Sequence, residues 1–397
     1  MSLSNFITIQ SISSQGVLGS LPRIPVLVTR ETVTGFTQDP ITGLYTINST
    51  DVAAFEAANA TKYGLLNAFR VVFAQNYSYP FVYVLSNPTG IQSADLTKAN
   101  ARPRAWSFLT IVDRYQGDGT GGGGSANYFA DLATIKAWGP ASFQKVVVHT
   151  YSIEETAGSI TLPSELVLGG TIGSDPAFKT IVSNSQSQIA TVGGSPVYAY
   201  DNIALALLSY VINGPAIARS WGSLSDAHDF LDVSSDTYTS TTRSIIANAS
   251  LAQYNGAKDR AGSVFVYDTQ MNDAVNPPLT DQIEALTAGY YIDDYVYVYV
   301  HNALQAAGQT GVPNDDAGIQ QILGLVRKAL TDCSDLGLIL AKADGSPDFA
   351  AGSLTAAQVT TRSANWQTTG IWPAGVVFAT IKRFSAAHYI TISFAFS

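Results

Sequence analysis

Charged side chains are scarce in this sequence. Asp, Glu, Lys and Arg together make up only 13% of the 397 residues, against roughly 25% in an average soluble protein. The exterior must therefore be covered mostly by Ser, Thr, Asn, Gln, Gly and Ala. A lone enzyme usually keeps itself soluble with more charge. The low charge favours a protein that works packed against copies of itself.

Basic residues are the rarer kind of charge. The chain has 21 Lys and Arg against 30 Asp and Glu, a formal net charge of -9. Its nearest approaches to a basic run are the pairs Arg327-Lys328 and Lys382-Arg383. Because nucleic-acid binding needs clustered Lys and Arg to neutralise phosphates, this charge balance argues against nucleic acid as the main partner, and we expect none.

Cysteine and long apolar runs are nearly or wholly missing. The single thiol, Cys333, cannot form an internal disulfide or a thiolate zinc site, and its apolar neighbours predict a buried, inert side chain. No stretch approaches the roughly 18 apolar residues of a membrane span. Residues 1–10 contain no basic residue, so we expect neither a secretory signal nor a membrane partner.

Motifs for catalysis and metal binding are also missing. No serine stands in G-x-S-x-G, and the histidines have no metal-binding spacing. Asp315-Asp316 falls in the first turn of a predicted helix, where carboxylates cap free N–H groups. Asp344-Gly345-Ser346 resembles the start of a calcium loop but lacks the ligand ladder and the closing Glu. We therefore predict no enzyme, no metal and no cofactor. The histidines are His149, His228, His301 and His388.

A glycine-rich run is the one feature that suggests a nucleotide. Gly119–Gly124 satisfies G-x-G-x-x-G between a predicted strand and a predicted helix, which is the context of a dinucleotide site. However, the run fits that pattern in several registers, and the acidic partner expected about 20 residues later is missing. No lysine follows, which excludes a phosphate loop. We interpret 117–124 as a flexible surface loop, with a nucleotide-binding α/β enzyme as an alternative.

Apolar periodicity predicts a mixed α/β fold. Strands that alternate with helical patterns indicate crossovers and a partly parallel sheet. Residues 293–305 are ambiguous, because their Val/Tyr alternation has high β propensity but runs without a turn into a helical pattern. The predicted strands are 81–85, 106–113, 146–151 and 375–384; the predicted helices are 51–75, 127–138, 202–212 and 315–330; 152–200 is predicted to be β-rich, and 223–242 and 342–353 to be loops.

Both ends of the chain carry short alternating strands. Each is joined to the body by a small or polar connector, residues 13–20 and 385–388. A terminal strand with an unpaired edge invites pairing with another sheet, where the alternating side chains set the register. Donation from copy to copy is directional and builds rings or helices, although both strands could instead pair within their own subunit. The side chains of the predicted arms are Ile7, Ile9, Ile12, Ile390, Ile392, Phe394 and Phe396.

Four segments, in this order, resemble a known family. They are residues 52–73 followed by 80–84; 248–256 followed by 262–268; 311–319 leading into the helix that ends at 330, then 337–339; and 386–392. In the third segment, residues 311–319 have the sequence Gly-Val-Pro-Asn-Asp-Asp-Ala-Gly-Ile. With these segments the chain resembles a contractile-tail sheath protein of a tailed phage, in one of the shorter forms.

The resemblance implies an inner α/β domain built from both chain ends and an outer domain with a β-rich insertion. The chain would divide into an N-terminal arm (1–20), an outer domain (21–260), an inner domain (261–385) and a C-terminal arm (386–397). Residues 293–305 would be helical.

The resemblance also implies a mechanical function. Hexameric rings would stack around a tail tube and contract, driving the tube through the host envelope. The partners would be further copies of the chain, the tail tube protein, and baseplate and tail terminator proteins, in a virion assembled in the host bacterial cytoplasm. Lys382 and Arg383 are candidate tube contacts, or ordinary strand-end charges. The alternatives are a tube or baseplate subunit and the sheath of a bacteriocin or other injection machine.

Overall fold

The chain folds into two compact units. The computed structural model describes residues 24–75, 79–102, 105–112, 123–143, 145–167, 169–175, 177–213, 238–249, 251–255, 265–267, 283–306, 312–369, 372–373 and 375–381. Of these, residues up to 284 form the first unit and residues from 285 form the second. Both units mix helices and strands, which confirms the predicted α/β class.

The first unit is built on an eight-stranded sheet. Its order is β10-β9-β6-β5-β4-β1-β3-β2. Neighbours from β9 to β3 are parallel, and the edge strands β10 and β2 are antiparallel, so the predicted partly parallel sheet is confirmed. The strands are β1 Pro25–Thr29, β2 Tyr45–Asn48, β3 Phe81–Ser86, β4 Phe108–Ile111, β5 Val146–Ser152, β6 Phe178–Ser183, β9 Ala252–Asn255 and β10 Phe265–Tyr267.

Helices cover both faces of this sheet, as expected for parallel strands that are buried on both sides. Val26 and Val28 belong to one core cluster with residues of α3, α4 and α6. Leu27, between them, is equally buried but lies outside that cluster, consistent with the two-residue alternation of a strand. The helices are α1 Val52–Ala58, α2 Tyr63–Ala74, α3 Ser93–Ala99, α4 Gly123–Trp138, α5 Ile203–Asn213 and α6 Ser240–Asn248.

The predicted single helix over 51–75 is wrong. It is interrupted between α1 and α2 at Asn59, which is 3% exposed. The Asn59 side chain accepts from Thr34 N (2.9 Å) and donates to Thr34 O (3.0 Å). These bonds fix the chain in a non-helical conformation, φ -135° and ψ 39°, and sequence periodicity cannot show such a long-range partner.

The predicted β-rich segment 152–200 is confirmed in its second half. After β6, the strands β7 Gln186–Val192 and β8 Ser195–Tyr200 pair with each other in a separate two-stranded sheet. The predicted loop 223–242 is wrong at its end, because α6 begins at Ser240. In α4, Gly123 and Gly124 form part of the first helical turn rather than a loop.

The second unit is mostly helical. It contains most of α7 Ile283–Ala306, then α8 Asp316–Asp335, β11 Phe349–Ser353, α9 Ala356–Arg362, α10 Trp366–Thr369 and β12 Val377–Ile381. Residues 293–305 are helical, as the family resemblance implied. The predicted loop 342–353 is wrong over β11, which pairs antiparallel with β12. Within the described segments, no helix combines the length and apolar character that crossing a bilayer requires.

Candidate functional site

The carboxyl edge of the parallel sheet is the first place to look for a ligand site. In open α/β sheets, ligands bind in the crevice where the strand order reverses. Here β3 lies on one side of β1 and β4 on the other, so this switch point lies between the carboxyl ends of β1 and β4.

Helix α2 begins at this switch point, and a side chain of the protein caps its N-terminus. The carboxylate of Glu31, just after β1, accepts from Gly64 N (3.2 Å) and Leu65 N (2.8 Å). A Cβ at position 64 would lie 2.5 Å from the carbonyl oxygen of Val112, so only glycine fits there. Helix N-termini bind phosphates through free N–H groups, and here a carboxylate already holds two of them.

The environment of Glu31 is unusual for a carboxyl group. Burial raises the pKa of Glu31 to about 7, because lost hydration outweighs the two backbone hydrogen bonds and the nearby Lys62, all of which lower it. Perturbed carboxyls often mark functional sites. The oxygens of Glu31 are instead engaged in holding α2 against the sheet.

A second helix, α5, covers the carboxyl ends of the neighbouring strands β4 and β5. Asn202, which precedes α5, donates to Ile111 O at the end of β4 (3.3 Å) and accepts from Leu205 N (3.2 Å). The hydroxyl of Thr150 on β5 accepts from Ala204 N (2.9 Å). The start of α5 is thus bonded to the ends of β4 and β5, in the space a nucleotide would need.

Residues proposed from sequence as structural rather than catalytic fit that interpretation. The His149 ring is fully buried, with Tyr128 Oη at Nδ1 and Thr180 Oγ1 3.0 Å from Nε2. Cys333 is buried, and burial together with Asp332 raises the pKa of its thiol to about 12. Asp315 caps α8 by accepting from Gly318 N (2.9 Å). In the described part of the chain, no group of three His, Cys, Asp or Glu side chains is placed to hold a metal ion.

The residues predicted to act in assembly lie outside the described residues. This applies to the N-terminal set Ile7, Ile9 and Ile12, to the C-terminal set Ile390, Ile392, Phe394 and Phe396, and to Lys382 and Arg383, whose roles stay predictions. Residues 117–122 of the predicted surface loop, to which no role in assembly was assigned, also lie outside the described residues.

The two-stranded β11–β12 sheet of the second unit is partly exposed to solvent. Among the described residues, neither strand pairs with a third. Phe378 on β12 is 52% exposed and pairs in register with Gly352 on β11. A Cβ at Gly352 would lie 2.9 Å from the Phe378 ring, so the ring covers the glycine. Strand β12 ends at Ile381, and the predicted C-terminal arm begins at residue 386.

The β7–β8 hairpin of the first unit is the other exposed sheet. Its base is held by Asp201, whose carboxylate accepts from Arg70 Nη2 (2.8 Å), Ser185 Oγ (2.7 Å) and Ser187 Oγ (2.9 Å). Asn67 of α2 donates to Tyr200 O (2.8 Å) and to Asp201 (3.2 Å). Sequence reasoning missed this anchor, because Arg70 and Asp201 are 131 residues apart and no local motif joins them.

Comparison with known proteins gives one kind of match. No protein-family model matches the chain, and no curated protein matches it by sequence. In three dimensions the chain is similar to the cryo-EM structure of the anti-feeding prophage baseplate, six-fold symmetrised, with a TM-score of 0.59. The match covers 98% of each chain at 10% sequence identity. The two chains share a fold.

Proposed function

We propose that this chain is a structural subunit of a contractile injection apparatus. The support is the fold shared along nearly the whole chain with a protein of an anti-feeding prophage baseplate. The family resemblance drawn from the sequence points to the same class of machine. The finer proposal is a sheath: hexameric rings stacked around a tube, contracting as subunits move past one another, in a particle assembled in the bacterial cytoplasm.

The carboxyl edge of the sheet supports a structural rather than an enzymatic function. Two of the helices that begin there are bonded to the chain's own groups, α2 through Glu31 and α5 through Asn202. A bound phosphate would have to displace the Glu31 carboxyl group and break its two hydrogen bonds with the start of α2. The low charge of the chain also suits extensive contact with other copies.

Assembly through the terminal arms remains part of the proposal. The β11–β12 sheet offers strand edges without a described partner, and an incoming strand could add its backbone hydrogen bonds there. We propose that sheet as the acceptor for an arm of a neighbouring copy. Its exposed Phe378 would be covered by that arm.

A baseplate subunit is the second candidate, because the similar solved structure is that of a baseplate. A baseplate component forms one ring of limited height, whereas a sheath stacks rings without a set end. Negative-stain electron microscopy of the purified protein, over a range of protein and salt concentrations, distinguishes them. Tubes of regular width support the sheath, and single rings support the baseplate subunit. If the protein stays dispersed, its absorbance near 260 nm is measured next, and a signal from a bound nucleotide would support the nucleotide-binding enzyme.

The arm itself is tested by a pair of substitutions on one predicted strand. Ile392→Lys places a charge on the apolar side of the alternation, and Thr391→Lys places the same charge on the opposite side. We expect Ile392→Lys, like deletion of 389–397, to leave a folded protein that no longer assembles, while Thr391→Lys assembles normally. Assemblies of normal length from the deletion variant would refute the arm model.

A further inference from the structure

The β7–β8 hairpin has an outer half that is exposed and that no described residue of the first unit covers. Thr191, Val192, Ser195 and Pro196 are all exposed, and Val192 is 56% exposed. The strands are joined at Gly193 and Gly194, whose φ values of +59° and +85° suit the tight turn of a two-residue hairpin. An isolated two-stranded hairpin is marginally stable in water, so an outer half without cover calls for an explanation.

The hairpin is fixed at its base rather than free to swing. The Asp201 carboxylate is fully buried beside Arg70 at 2.8 Å and also binds the hydroxyls of Ser185 and Ser187. Asn67 holds the other strand through the carbonyl of Tyr200. A surface that is already ordered loses less conformational freedom on binding. The outer half is therefore presented in a set orientation.

The two faces of the hairpin differ in what they contact. Register pairs Gln188 with Tyr198, Thr191 with Pro196 and Val192 with Ser195. The face with Ser187 and Ala199 is used at its base, where Ala199 is buried and Ser187 binds Asp201. On the opposite face the outer side chains are exposed, Tyr198 by 40%. We call this opposite surface the tyrosine face; its exposed residues are Gln188, Thr191, Pro196 and Tyr198.

The edges of the hairpin are poorly suited to adding another strand. A bulge interrupts the pairing of β7 between Gln188 and Ala190. Pro196 removes an N–H from β8, and proline inside a strand is accommodated where its nitrogen points away from the paired strand. Bulges and edge prolines are devices that prevent edge-to-edge pairing. A partner must therefore dock on a face.

The side chains of the tyrosine face are of the kind found in protein–protein interfaces. Residues 186–200 contain no charged side chain, which rules out attraction to phosphates or an anionic membrane. Interface cores are enriched in Tyr and depleted in Lys, Glu and Asp. Each copy of the chain carries a net charge of -9, so copies repel one another at long range. A surface without carboxylates adds no local repulsion when two copies come into contact there.

We infer that the tyrosine face docks on a second copy of this chain. The inference rests on the proposed function, because it assigns to a subunit of an assembly a contact between copies in addition to its terminal arms. The tyrosine face brings together an uncharged surface, a rigid base and an amphipathic aromatic side chain.

The test places a photoreactive residue, p-benzoylphenylalanine, at position 188 on the tyrosine face or at position 192 on the opposite face of the full chain. Irradiation should produce covalent dimers on a denaturing gel from position 188 and several-fold fewer from position 192. In parallel, Tyr198→Lys should raise the protein concentration for half-maximal assembly about tenfold, while Val192→Lys changes it by less than about twofold.

The outcomes separate the inference from the proposed function. Assemblies without dimers from position 188 overturn the inference and leave the function standing. Dimers from position 188 without any rings or tubes support the inference and count against the function. If neither forms at any concentration, both are wrong. Binding of a neutral polysaccharide that Tyr198→Lys abolishes, without dimers, would make the tyrosine face a glycan site and overturn the inference.

Discussion

Arg30 and Asp131 are joined by two parallel hydrogen bonds. Arg30 Nε and Nη2 each lie 2.8 Å from a carboxylate oxygen of Asp131, whose side chain is 2% exposed. The same carboxylate accepts from Ile91 N at 3.1 Å. The pair thus ties the end of β1 to the middle of α4 and to the segment before α3. A Cβ at Gly90 would lie 2.7 Å from Arg30 Nη2, so a glycine makes room for the arginine.

Asp131→Asn should lower the free energy of unfolding by about 2 kcal/mol. The amide keeps the shape but cannot accept through both atoms, and it leaves the partly exposed Arg30 guanidinium short of a partner. Urea unfolding measures the change. Arg102→Gln is the control, since it removes the pair Arg102–Asp39, in which both side chains are partly exposed, and should cost less than about 1 kcal/mol. Equal losses in the two variants would contradict the importance of the Arg30–Asp131 pair.

Gly64→Ala should be among the most damaging small substitutions in the chain. Its Cβ would lie 2.5 Å from the backbone oxygen of Val112, and backbone can yield only by moving α2 or β4. We expect a loss of about 1–3 kcal/mol, typical of overpacking. Gly324→Ala in α8 is the matched control, because its Cβ meets nothing within 4 Å and alanine favours helix by up to about 1 kcal/mol. Thermal melts should shift in opposite directions.

Local sequence patterns were sufficient where one element determines its own structure. The apolar period predicted α8, and Asp315 caps it as expected. In α7, by contrast, the Val/Tyr alternation favours a strand. Tyr291, Tyr295 and Tyr299 instead stack one helical turn apart, with centroids 6.2 Å and 6.1 Å apart, and Tyr295 donates to Asp332 of α8. These contacts, within α7 and between α7 and α8, favour a helix over a strand in this segment.

Long-range contacts are also why the candidate sites were not predicted. The cap on α2 comes from Glu31, more than 30 residues before it, and the anchor of the hairpin joins Arg70 to Asp201. Each of these residues has an ordinary sequence context. The short strands β2 and β9 were missed for a similar reason, since four residues carry too little periodicity to identify.

Glu31 should make the stability of the first unit depend on pH near neutrality. Its pKa rises from 4.5 to about 7 on folding, so between these values the folded state holds more proton than the unfolded state. Stability attributable to Glu31 therefore falls as pH rises from about 4.5 to about 7. Glu31→Gln should flatten this dependence, as measured by urea unfolding midpoints at pH 5 and pH 8. Glu56→Gln, an exposed residue of α1, should keep the wild-type dependence; the same slope in Glu31→Gln would show that Glu31 does not titrate in this range.

His149 should act in the opposite sense and at lower pH. Burial lowers the pKa of His149 from 6.5 to about 3, so the unfolded state takes up a proton first as the solution is acidified. Stability attributable to His149 is complete above about pH 6.5 and falls as pH drops toward 3. His149→Gln should therefore lose less stability between pH 7 and pH 4 than wild type, although it starts about 1 kcal/mol lower because its contacts with Tyr128 and Thr180 are weakened. His301→Gln on the half-exposed side of α7 should change the acid dependence much less, and an equal change in both variants would mean that burial of His149 is not the cause.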